Sequence, residues 1–179
     1  VLIPKQGFIK KLVTYTTPDN ADKVRNAMFE AGAGTIGNYD NCSFNTEGFF
    51  TFQGNEDSNP VVGEQGKLHT GSEIKIEVVF EKHLQSKVLK ALFANHIYEE
   101  VAYEVYDLQN AHQNIGLGMI GEFETEMDEK DFLLFGKDKM IADGIRHSVF
   151  TGKKIKKIAV LGGSGSFAIK NAIMAGADA

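Results

Sequence analysis

Hydrophobic positions recur along this chain at two spacings, and the change from one to the other marks its elements. Phe8 to Tyr15 is rich in β-branched and aromatic residues and predicts a strand. Thr17-Pro18-Asp19 then supplies an N-cap, a first-turn proline and an early carboxylate, so a helix begins there. Ala21, Val24, Met28 and Ala31 give it one apolar face, and Gly32 with Gly34 gives its exit. Strands are expected near Thr35 to Tyr39 and at Gly48 to Phe52. Gln53 to Gly71, which holds Gly54, Gly63, Gly66 and Gly71 and little periodicity, reads as a long loop. From Ser72 to Phe80 the alternation is strict: Ile74, Ile76, Val78 and Phe80 fall on one side, Glu73, Lys75, Glu77 and Val79 on the other. Leu84, Val88, Leu89 and Leu92 make a second amphipathic helix that stops near Asn95, and Val101 to Asp107 is a further strand.

The resulting order is strand, helix, strand, strand, strand, helix, strand. Two helices on one side of a mainly antiparallel sheet make the split βαβ pattern of a ferredoxin-like, α+β domain. The polar stretch Asn110 to Asn114 marks a boundary, which divides the chain into residues 1–110 and 111–179. Beyond it, Leu117 to Phe123 reads as a strand, Asp128 to Ala142 as a helix capped by Asp128, and Ile145 to Val149 as a short strand. The unbroken run Ile158-Ala159-Val160-Leu161 reads as a buried parallel strand, followed by a helix from Phe167 to Ala175. This second part looks like an incomplete α/β domain. The missing initiator Met and a final helix leading towards a strand that does not follow predict a piece of a longer protein.

Composition narrows the function classes. With 179 residues, 42% hydrophobic and 24% charged, the chain suits a globular protein and excludes disordered and collagen-like classes. Nineteen Lys and Arg against 24 Asp and Glu leave a net charge of −5, so nucleic acid is not an expected partner. No run is long and apolar enough to predict a membrane span. The lone thiol, Cys42, makes no internal bridge and suits a reducing cytoplasm.

Two clusters are candidates for chemistry. Gly162-Gly163-Ser164-Gly165-Ser166 lies between a buried strand and a helix start, where free N–H groups attract a phosphate or carboxylate. A tight strand-to-helix turn would need the same glycines, with no anion involved. The segment places no Gly for a serine nucleophile elbow and no Lys-Ser/Thr pair for a P-loop. The second cluster is His96-Ile97-Tyr98-Glu99-Glu100, an imidazole beside two carboxylates. A strand would send Glu99 and Glu100 to opposite faces, so the residues read more simply as turn residues around a buried tyrosine. His69, His83, His112 and His147 show no zinc spacing, and Lys153, Lys154, Lys156 and Lys157 read as a solvated basic loop.

Taken in order, Gly34-Thr35-Ile36-Gly37-Asn38-Tyr39, Gly63-Glu64-Gln65-Gly66, His96 to Tyr103, Gly116-Leu117-Gly118, Arg146-His147 and Gly162 to Ser166 resemble the Ngg-interacting-factor-three family, also called GTP cyclohydrolase 1 type 2 homologues. The resemblance covers nearly the whole chain. It is to the longer members, in which a domain similar to PII signalling proteins and CutA is inserted between two halves of an α/β domain. Residues 1–110 resemble that insert, and 111–179 the opening of the second half. The family's His-Pro-Tyr-Glu is here His96-Ile97-Tyr98-Glu99, without the stiffening proline.

The resemblance implies a hydrolase-type protein holding two divalent metal ions, assembled as a homo-oligomer, with room for a small-molecule ligand. The family's metal-binding His pair, acid and C-terminal His and Glu match no position here. No catalytic residue and no metal ligand is carried over, and no metal is expected from this chain alone. A regulatory or oligomerising PII-like module without chemistry is the second reading.

Overall fold

A computed structural model describes every residue, Val1–Ala179. Its elements run β1 (Ile3–Pro4), β2 (Ile9–Thr16), α1 (Pro18–Glu30), β3 (Phe44–Gln53), β4 (Leu68–Glu81), α2 (Gln85–Asn95), β5 (Tyr103–Asp107), β6 (Gly116–Leu117), β7 (Met119–Asp128), α3 (Glu129–Lys139), β8 (Lys154–Val160) and α4 (Ile169–Met174). The chain divides into two compact units: Gln6–His112, and Val1–Lys5 together with Gln113–Ala179.

In the first unit the sheet order is β3-β4-β2-β5, antiparallel throughout. With α1 after β2 and α2 after β4, this is the ferredoxin-like topology, and the fold is α+β. Pairing of Leu12 with Val78 and of Thr14 with Ile76 puts those residues on one face. Leu12, Ile76, Val78 and Phe80 there meet Val24 and Met28 of α1 and Val88 and Leu92 of α2, all buried. Removing each such side chain from water contributes about 1.5–3 kcal/mol. Two buried threonines on the same face are satisfied locally: Thr14 donates to the Ala102 carbonyl at 3.0 Å, and Thr16 accepts from Asn20 at 3.3 Å.

Helix α1 begins after Thr17 with Pro18 in its first turn, but the threonine side chain makes no capping hydrogen bond. Its exit turns at Gly32 (φ 100°), with the Ala33 N–H bonded back to Met28. Gly34 (φ 83°) then passes so close to Phe29 and the Cys42 carbonyl that a Cβ would sit 2.8–2.9 Å from them. The strand expected at Thr35 to Tyr39 is instead a tight turn, with Ile36 and Tyr39 bonded to each other across Gly37. The expected loop from Gln53 to Gly71 is shorter. Strands β3 and β4 continue to Gln53 and Leu68, where cross-strand pairing overrides the weak local pattern.

In the second unit β1 pairs with β6, and β7 with β8. The expected strand from Leu117 divides at Gly118 (φ 65°) into β6 and β7. Of the run Ile158 to Leu161, only Ile158 to Val160 is strand, antiparallel to β7 rather than parallel and half-buried to exposed rather than buried, and Ile145 to Val149 forms no strand. Asp128 stands at the N-cap of α3 without capping it, because its carboxylate takes Lys154 Nζ at 2.8 Å. The basic run is therefore strand rather than loop, with Lys154, Lys156 and Lys157 inside β8. Phe123 of β7 packs edge-on against Phe132 and Phe135 of α3. No helix is long and apolar enough to cross a membrane.

Candidate functional site

The face of the first unit's sheet opposite the helices carries a cleft of about 700 Å³. Register explains its lining. On β4, Glu73 lies across from Gly48, Lys75 across from Thr46, and Gly71 across from Phe50, so these side chains share one surface with Tyr15 of β2. The connection between β3 and β4 covers one side through Pro60, Val61 and Val62, and Tyr98 to Ala102 forms another. A hydrogen bond from the Asn59 N–H to Glu99 at 3.3 Å ties those two sides together.

Glu73 is only 7% exposed, and burial raises its carboxyl pKa above the ordinary range. The Tyr98 hydroxyl is buried without a hydrogen-bond partner, near enough to Glu73 for each group to act on the other's titration. Burial, followed by Glu73, pushes the Tyr98 pKa far up. Phe50 and Phe52 stack nearly parallel with centroids 5.7 Å apart, and His69 and Tyr98 tilt against them. Lys75 is held by Glu77 at 2.6 Å, which raises the lysine pKa and lowers that of Glu77. Beside the cleft, Tyr15 donates to Glu104 at 3.4 Å.

His96 to Glu100 is drawn into this site. The Tyr98 N–H donates to His96 Nδ1 at 3.1 Å, so His96 Nε2 carries the proton and donates to the Tyr15 carbonyl at 3.0 Å. Burial lowers the His96 pKa, partly offset by that bond. Glu99 and Glu100 are not in a strand, and both line the cleft rather than opposite faces. His96 itself serves as a structural turn residue that fixes Tyr98.

Gly162 to Ser166 lies elsewhere, in the second unit. Gly162, Gly163, Ser164 and Ser166 are exposed, Gly163 has φ 81°, and Gly165 packs against Leu161. A 3-10 turn at Ser166–Ala168 follows, and then α4, only six residues long. The segment makes a tight turn, and such a short helix gives it little dipole to offer an anion.

The residues present do not fit a two-metal centre, since no group of three or more His, Cys, Asp or Glu side chains converges. Glu81 receives both His83 and His112, at 3.2 and 3.1 Å, and His147 stacks on Phe150. The sequence offered no sign of Glu73, Phe50 or Phe52 as site residues. Alternation alone turned Glu73 away from the core, and only the register sets it beside Tyr98.

The model of the Duf34/NIF3 (NGG1p interacting factor 3) family matches residues 10–179. A Bacillus subtilis protein named GTP cyclohydrolase 1 type 2 homolog is 39% identical over 170 residues, which are 95% of this chain and 46% of that protein. A crystal structure of a Bacillus cereus protein related to NIF3 superposes with TM-score 0.79 at 40% identity, covering 99% of this chain and 47% of that one. Staphylococcus aureus protein SA1388 gives 0.59 at 26%, covering 99% and 45%. The chain thus spans about half the length of the relatives it matches.

Proposed function

Because this chain belongs to the Duf34/NIF3 family, we propose that it is the central part of a two-metal, hydrolase-type protein and contributes recognition of a small ligand. The observation that carries this reading is the cleft of about 700 Å³, a size that suits a small molecule, with Glu73 and Tyr98 set among apolar side chains. Hydrolysis and the two divalent ions belong to the whole protein, and no chemical step falls to a residue of this chain. A cytoplasmic setting agrees with the single free thiol. Association into a homo-oligomer is supported by the open edge of β3, ten residues long with Phe44 and Phe49 exposed.

The test uses the full-length protein, screened for turnover with and without chelator and for small-molecule thermal shifts with and without Gly48→Phe. Gly48 has open space where a Cβ would project, so the phenyl group would occupy the cleft. Chelator-sensitive turnover, together with thermal shifts that Gly48→Phe abolishes, is expected. Shifts unaffected by Gly48→Phe overturn the recognition role. The regulatory reading is supported by the formed cleft, which can hold a ligand without any chemistry. Metal-independent inactivity with retained ligand binding would select it.

A further inference from the structure

The cleft combines an aromatic wall with an acidic interior. Glu73 is more than nine-tenths buried, lines the cleft and belongs to no ion pair, and the neighbouring Tyr98 hydroxyl has no partner within the protein. A desolvated carboxylate of this kind is stabilised strongly by any donor brought to it. Two further carboxylates, Glu99 and Glu100, line the same space. The one lysine there, Lys75, is already engaged by Glu77 at 2.6 Å. Anionic groups therefore meet repulsion at this site and cations meet attraction. The stacked Phe50 and Phe52 offer a flat ring a surface, and ring faces also attract positive charge.

We infer that the cleft binds a flat aromatic cation carrying paired N–H donors, of the amidinium or protonated aminopyrimidine type, with the donors on Glu73 and the ring against Phe50 and Phe52. This rests on the reading of the cleft as a ligand site. A carboxylate meets two parallel N–H groups in a bidentate pair, which selects planar donors over a round ammonium. A phosphorylated or carboxylated ligand is disfavoured by the same groups.

Calorimetric titration of the full chain with benzamidine, benzoate and benzyl alcohol tests it, since the three share a ring and differ in charge and donors. Benzamidine is expected to bind at least about tenfold more tightly than either of the others. Its affinity should fall with added salt while that of benzyl alcohol stays level. Glu73→Gln keeps shape and removes charge, and should bring benzamidine down to the benzyl alcohol level. Phe52→Leu, which leaves the carboxylate in place, should weaken benzamidine and benzyl alcohol alike. Equal binding of benzoate and benzamidine, or full benzamidine affinity in folded Glu73→Gln, overturns the inference and leaves the cleft a ligand site. Failure of all three probes, with no difference in Gly48→Phe, removes both readings.

Discussion

His96 is held neutral by burial and by the hydrogen bond at Nδ1. Nδ1 accepts from the Tyr98 N–H, and a second proton there would set two donors against each other in a desolvated place. The folded pKa lies below the ordinary 6.5 because burial disfavours the imidazolium. The stability this group contributes is therefore full above about pH 6.5 and is lost as pH falls through the lowered folded value. Urea melts at pH 7.5 and 5.5 should show the wild-type chain losing more stability than His96→Gln across that interval, and equal losses would contradict the assignment. Glu73 runs the other way. Its folded pKa is raised above 4.5 by burial, so the stability it contributes is full below 4.5 and lost as pH rises through the raised value. Glu73→Gln should accordingly melt above the wild type at pH 7, with the difference shrinking towards pH 4.5. A lower melting temperature at pH 7 would mean that the carboxylate is already satisfied in the folded chain.

Among the elements, those legible in the sequence are the ones whose pattern and pairing agree. The alternation of Ile74, Ile76, Val78 and Phe80 identified the buried strand, and β4 places Ile76 at the centre of the core, fully buried. Ile76→Asp should cost roughly 3 kcal/mol or more, by forcing a charge into an apolar layer. Chemical denaturation with an unchanged midpoint would refute that position. Gly34→Ala should also destabilise the chain, because φ 83° and the 2.8 Å approach to Phe29 leave no relaxed place for a methyl group. What was not legible has physical reasons. Four consecutive apolar residues from Ile158 carry no strand direction, and β8 is antiparallel to β7, with Val160 exposed and its neighbours only half-buried. Ile145 to Val149 has the composition of a strand but no partner. The cleft depends on register between β3 and β4, which brings Gly48 opposite Glu73, and no local spacing encodes that pairing.

For the whole molecule, the difference between the two units predicts how each behaves alone. The cluster formed by Leu12, Val24, Met28, Ile76, Val78, Phe80, Val88 and Leu92 lies entirely within Gln6–His112, and the four-stranded sheet there takes no strand from outside it. Val1–Lys5 and Gln113–Ala179 form only two-stranded pairs, and leave Ile141, Ile173 and Met174 largely exposed. Pairs of two strands hold poorly in water without a packed layer, and exposed apolar surface of this extent favours association. Residues 6–112 expressed alone should therefore unfold in one cooperative transition, with an enthalpy of about 70 kcal/mol, and keep a near-ultraviolet dichroism signal from Tyr98 and its aromatic neighbours. Residues 113–179 alone should be poorly soluble or unfolded. A broad, non-cooperative melt of 6–112, or a sharp one of 113–179, would show that the stability of the chain is divided differently from its buried apolar residues.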